Sequence, residues 1–194
     1  LARLPDFRSY AISRMEGTSG RQRVSWQALA EFNLRLPEKG KRKKIGKIFD
    51  PRKFTLPRGC SCFAQSPQVL VFDDFVRVYF SSRELESSGM YVSHVAWVDF
   101  DKEFQCVLKV SPEVVIERGQ LGCFDEHGIF PISPLRYRDR IIAYTTGWSR
   151  RVSVSVETAI GMVESYDGGA TFERLGHGPT AHGVEQAFVG KYPE

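Results

Sequence analysis

The chain contains no C-x-x-C pair, no H-x-x-x-H or H-E-x-x-H arrangement, and no apolar run approaching the ~20 residues that cross a bilayer. Each absence excludes a class of protein. The four cysteines, Cys60, Cys62, Cys106 and Cys123, lack the spacing of a structural zinc site. They read as small core or idle thiols. His94, His127, His177 and His182 fall into no metal-binding spacing, so no metal and no other cofactor is expected. No charged, apolar and small-residue leader opens the chain, and a cytoplasmic protein without a membrane segment is the default expectation. The formal charge of +4 over 194 residues is mild, and its one concentrated run is KGKRKK at 39–44. That run has no interleaved aromatic side chains to stack on bases, so it reads as a solvated linker rather than a nucleic-acid patch.

What the chain does have is a near-repeat. VRVYFSS at 76–82 returns in kind as RIIAYTT at 140–146, inside two units whose landmarks keep the same order. Each unit opens on a Phe and a polar residue, Phe63 with Gln65 and Phe124 with Asp125. A strand, a tight hairpin at Asp73-Asp74 or Arg138-Asp139, and the matched strand follow. Each then has a third strand, an Asp-bearing turn that ends on Phe104 or Phe172, and a closing proline, Pro112 or Pro179. Four short strands per unit, repeated, predict an all-β protein of radially arranged sheets. Unit one covers about 60–115 and unit two about 121–180, and 183–194 resembles the opening of a third. Residues 1–42 do not share the pattern. They read as an N-terminal extension with one helix at 25–34, where Trp26, Leu29 and Phe32 recur at helical spacing.

Two patterns bear on chemistry. SYDGGATF at 165–172 matches S-x-D-x-G-x-T-W/F, the Asp box of sialidases and other propellers. The Asp167 side chain is expected to take backbone N–H groups across the turn while the glycines supply positive φ, a structural role. The second pattern is spacing. Gln65, Asp125 and Glu185 stand at the openings of the three units, 60 residues apart in each step. Equivalent positions on successive blades converge at one end of a central channel. Grouped carboxylates there suit sugar hydrolysis, which needs one protonated acid and one base or nucleophile. Arg83 and Trp148 end the second strands and are expected at the same end, a guanidinium for hydroxyls or anions and an apolar ring face for a pyranose.

The stretch from 43 to about 189 resembles the five-bladed β-propeller glycoside hydrolases, the arabinanase, xylosidase and invertase superfamily of families 43 and 32, and most of all its bacterial glycosidase-like relatives. The resemblance rests on KIGKIFD at 44–50, AQSP at 64–67, VYFSSR at 78–83, FDEHG at 124–128, YTTGW at 144–148, the 165–172 motif and Glu185. It implies a five-bladed propeller of which residues 43–194 supply two to three blades. It also implies Glu185 as general acid and Asp125 as the carboxylate that tunes it. Where the arabinanase type carries an Asp, this sequence has Gln65, an amide that can bond a sugar hydroxyl but cannot act as a base. Glu126, or a carboxylate elsewhere in the protein, could take that role. The expectation is therefore a carbohydrate-binding, glycosidase-like protein with Gln65, Arg83 and Trp148 contacting substrate. The alternatives are a non-catalytic glycan-binding propeller and a phosphate-dependent glycoside phosphorylase. Open sheet edges and faces favour self-association.

Overall fold

The computed structural model describes residues 44–176 and 178–182, with 15–16 and 23–24 before them. The helix expected at 25–34, most of the basic run, His177 and Glu185 lie outside the described residues. The chain divides into two compact units, 1–46 and 47–194. In the first, β1 (Met15–Glu16) and β2 (Arg23–Val24) form an antiparallel pair.

Among its described residues the second unit is all-β with antiparallel sheets, preceded by two three-residue 3-10 turns, Pro51–Lys53 and Pro57–Gly59. Sheet one is a meander of β3 (Gln65–Val71), β4 (Val76–Leu85), β5 (Tyr91–Phe100) and β6 (Val107–Val110). Sheet two follows with β7 (Ile129–Tyr137), β8 (Arg140–Ser149) and β9 (Glu157–Ser165). Its outer strand is broken into β10 (Glu173–Arg174) and β11 (Ala181–His182), both paired with β9. The repeated heptapeptides are the second strands of the two meanders, β4 and β8. Both first strands carry a register shift near their start, between Gln65 and Gln68 and between Ile129 and Ile132. Pro67 and Pro131 lie in these bulges, as expected of a residue with no N–H to give to a ladder.

β5 is buried along almost its whole length because both of its faces are covered. Phe80, Ala96, Val98 and Phe100 pack under Phe49, Leu56 and Cys60 of the segment that precedes the sheet. On the other face Tyr79, Val95 and Trp97 meet Ile129, Ile132, Ile141, Val163 and Phe172 of sheet two. Burial on this scale, at about 25 cal/mol per Å² of apolar surface, drives the two sheets together.

The join is specific as well as apolar. Asp167 Oδ1 accepts the N–H groups of Ala170 and Thr171 at 2.9 and 3.0 Å, and the Thr171 hydroxyl bonds Oδ2 at 2.6 Å. Burial alone would raise the Asp167 pKa, but these bonds outweigh it and hold the carboxyl below its ordinary value. Asp101 takes the N–H groups of Gln105 and Cys106 in the same way after β5. The Asp167 turn presents its carbonyls to sheet one. Tyr79 Oη donates to Gly169 O at 2.7 Å, Trp97 Nε1 to Ala170 O at 3.0 Å and Arg77 to Gly168 O at 3.3 Å. Arg77 is itself fixed by a buried two-point pair with Asp99, at 2.7 and 2.8 Å, and lies 3.9 Å from the Trp97 ring centroid. Among the described residues no helix is long and apolar enough to cross a membrane.

The two glycines of this turn separate backbone strain from packing. Both have positive φ, +71° at Gly168 and +83° at Gly169. A Cβ on Gly168 meets open space, whereas one on Gly169 would fall 2.2 Å from the Tyr79 hydroxyl. Gly168→Ala is expected to cost about 1–2 kcal/mol, and Gly169→Ala about 3 kcal/mol or more once overpacking is added. Urea denaturation of both variants checks this; equal losses would show that the contact with Tyr79 does not hold the sheets together.

Candidate functional site

Sheets one and two are stitched together at the end where β3 and β7 begin. Ser93 on β5 bridges in parallel to Gly128, just ahead of β7. Gly128 has a φ of +121°, and a Cβ there would sit 2.0 Å from Ser93 O, so only glycine permits the approach. The Ser93 N–H donates to His127 O at 2.9 Å, the His127 N–H to Trp148 O at 3.1 Å, and the Trp148 N–H to Gly128 O at 3.0 Å. The Gly128 N–H returns to Asp125 O at 3.0 Å. Since Arg83 stands opposite Ser93 in the ladder, this network brings the backbones of Arg83, Asp125 and Trp148 to one end of the molecule.

Their side chains do not all share one face. Gln65 pairs with Ser81, and Ser81 donates to Ile129 O at 3.2 Å, so this face of β4 looks toward sheet two. Arg83, two residues on, shares it, with its guanidinium 5.3 Å from the Phe63 ring centroid. Asp125 lies on the face of sheet two that looks back at sheet one, against Gly147. Trp148 follows Gly147 and so points to the opposite face, where its ring lies 5.4 Å from His127 and the Arg150 guanidinium lies 5.0 Å away. Gln65 opens β3 at a bulge, and the residue that opens β7 at the matching bulge is Ile129. Asp125 lies upstream of that strand, in the crossing segment. Equal sequence spacing thus does not correspond to equal strand position.

Asp125 is 1% exposed. Its Oδ2 accepts from Nε and Nη2 of Arg174 at 2.9 and 2.5 Å, and Arg174 also donates to the Glu117 carbonyl. Oδ1 has no hydrogen-bond partner among the described residues. Gly119 makes room for it, since a Cβ there would fall 2.1 Å from that oxygen. Gln65 Oε1 and Arg83 Nε are likewise buried without a partner among the described residues. Arg174 could not be anticipated from local pattern, because 49 residues separate it from Asp125 and only the register of β10 on β9 brings it there.

A second polar cluster lines a cavity of about 390 Å³ bounded by Arg58, Glu84, His94, Glu117, Arg118 and Glu126. Its charges are largely committed to one another. Arg58 pairs with Glu117 at 2.8 Å, Arg118 with Glu86 at 3.0 Å, and Glu126 Oε2 accepts the Gly122 N–H at 2.9 Å. Buried His94 holds Glu84 through Nε2 at 2.6 Å, and burial lowers its pKa against the opposing pull of Glu84, leaving the ring neutral near pH 7. Among the described residues, no three His, Cys, Asp or Glu side chains are grouped as a metal ion would require.

No family model matches the chain. Uncharacterized protein MT1551 and Uncharacterized protein Rv1502, from two strains of Mycobacterium tuberculosis, are each 30% identical to it over 132 residues. That match covers 68% of this chain and 42% of each relative, so the chain spans less than half the length of the proteins it matches. Among solved structures it is similar to Zg3597, a family 117 glycoside hydrolase produced by the marine bacterium Zobellia galactanivorans. The TM-score is 0.51 at 20% identity, over 65% of this chain and 35% of that one. At that identity the likeness is one of fold alone.

The Asp125–Arg174 pair yields a direct test. Arg174→Ala leaves a carboxylate buried without compensation and is expected to cost about 3 kcal/mol. Asp125→Asn keeps a hydrogen-bond acceptor for the guanidinium and is expected to cost less. An unchanged urea midpoint for Arg174→Ala would show that the pair contributes nothing to the fold.

Proposed function

We propose that this chain is part of a five-bladed β-propeller protein of the glycoside hydrolase kind, with residues 43–194 contributing blades and residues 1–42 an extension. In this reading it binds a carbohydrate where β3 and β7 begin and cleaves or transfers a glycosidic bond. One observation carries it. Gln65 Oε1, Arg83 Nε and Asp125 Oδ1 are buried polar atoms without partners among the described residues, and all belong to side chains on the facing surfaces of sheets one and two. An unmade hydrogen bond at a buried group costs about 1–3 kcal/mol, and folded proteins leave few such groups without a ligand, ion or water. Sugar hydroxyls both donate and accept, so one ligand class can satisfy an amide oxygen, a guanidinium N–H and a carboxylate together. The likeness of fold to a family 117 glycoside hydrolase supports the same reading.

The division of roles is the one that the resemblance to the family 43 and 32 glycoside hydrolases implies. Glu185 serves as general acid, Asp125 as the fixed carboxylate that tunes it, and Gln65 and Arg83 as hydroxyl-binding groups, while Trp148, on the opposite face of sheet two, offers an apolar platform to a further part of the glycan. A non-catalytic glycan-binding protein is the second reading. Gln65 favours it, because an amide cannot act as a base, and so does the engagement of Asp125 by Arg174. A phosphorylase is the third, with phosphate held at Arg83 in place of the missing base. The outer face of sheet two exposes Leu135, Tyr137 and Tyr144. We assign to that face the packing of a further sheet or of a second copy of the chain.

The test uses the complete protein with a panel of aryl glycosides, with and without phosphate. Turnover that falls at least 100-fold in Glu185→Gln and in Asp125→Asn while sugar binding persists is the expected result. Turnover only with phosphate would establish the phosphorylase, and binding without turnover the non-catalytic reading. The absence of both binding and turnover overturns the carbohydrate assignment.

A further inference from the structure

We infer that His127 is a specificity-determining residue of a saccharide subsite on the Trp148 face of sheet two, separate from Gln65, Arg83 and Asp125, donating a hydrogen bond from Nε2 to one ring hydroxyl of a sugar that rests against Trp148. This deepens the carbohydrate reading above and rests on it. The backbone of His127 is held from both sides at the join of the sheets: its carbonyl accepts from Ser93 N–H and its own N–H donates to Trp148 O. The ring is thereby pre-positioned.

The ring's tautomer follows from its contacts. His127 Nδ1 accepts the Arg150 N–H at 3.3 Å, which places the ring proton of the neutral imidazole on Nε2. No described residue accepts from Nε2. The imidazole lies 5.4 Å from the Trp148 ring at an interplanar angle of 35°, so the indole has a directed N–H donor beside it. Arg150 closes the group, with its guanidinium 5.0 Å from the Trp148 centroid and tied to the Tyr91 carbonyl of sheet one. An aromatic surface flanked by a fixed donor matches a neutral pyranose, which offers an apolar face of C–H groups and a rim of hydroxyls. A site built to bond one hydroxyl rejects the analogue that lacks it, because the donor is then left unpaired. Discrimination of this kind, rather than bulk affinity, is what His127 contributes.

The test is a cycle across protein and ligand on the complete protein. Calorimetric affinities are measured for methyl glucoside, galactoside, xyloside and arabinoside, and for the monodeoxy analogues of whichever binds. Wild type is expected to bind the parent about tenfold more tightly than one monodeoxy analogue, equivalent to about 1.4 kcal/mol. His127→Phe keeps a planar ring without the donor and is expected to bind the two equally. A discrimination that survives intact in His127→Phe overturns the assignment while leaving the carbohydrate reading in place. Failure of wild type to bind any glycoside overturns both. Should His127→Phe not fold, ¹⁵N NMR of the imidazole in wild type decides: a shift of the His127 Nε2 resonance on titration with the parent sugar supports the bond, and an unmoved resonance during saturable binding refutes it.

Discussion

The interface between the sheets depends on a guanidinium held in an apolar setting. Arg77 is enclosed by the rings of Phe72, Phe75 and Trp97 and neutralised by Asp99. A charge in that setting is tolerated only because its donors are directed at a carboxylate and a carbonyl. Once fixed, Arg77, Tyr79 and Trp97 form a row of donors on sheet one. The Asp167 turn on sheet two supplies carbonyls in matching order at Gly168, Gly169 and Ala170. The apolar contacts around Ile132, Val163 and Phe172 provide the driving force, and the polar row fixes the register of one sheet against the other.

That register also decides what meets at the opposite end of the sheets. With the sheets locked at the Asp167 turn, Gly128 can run beside Ser93. The same segment then places His127 between β5 and β8 and Asp125 beneath Gly119 and Gly147. Three glycines lacking a Cβ at the point of contact, Gly119, Gly128 and Gly147, are the structural condition for this crossing. The orphaned atoms of Gln65, Arg83 and Asp125 belong to the same region, where polar side chains replace the apolar ones that fill the middle of the interface.

Asp125 illustrates how environment assigns a role to a carboxylate. An acid met just ahead of a sheet's first strand reads as catalytic by position. Here one oxygen is committed to Arg174 and the other has no partner among the described residues. Glu126, its neighbour in sequence, faces a separate cavity and caps a backbone N–H. Adjacent carboxylates therefore serve different structures, and their order along the chain does not distinguish them.

The strand content, the two meanders and the Asp167 turn were legible in the amino-acid order because each is a local property. Alternating β-branched and aromatic residues make β4 and β8, Pro67 and Pro131 mark the bulges, and an Asp followed by two glycines closes a turn within five residues. Gln65, Arg83, Asp125 and Trp148 could also be chosen from their places relative to these strands. Which face each side chain takes, and what it meets, could not. Facing depends on bulges that displace register by single residues, and a one-residue displacement reverses the side of the sheet. Equal spacing placed Gln65 with Asp125, whereas the ladders place Gln65 with Ile129, 64 residues on, the same step that separates Val76 from Arg140; Trp148 looks away from Asp125 because it alternates with Gly147 along β8. The partners Arg174 for Asp125, Gly169 for Tyr79 and Trp148 for His127 lie 49, 90 and 21 residues away along the chain. Local pattern determined the elements of this protein, whereas contacts at such separations were decided only by strand register within sheet two and by the packing of one sheet on the other.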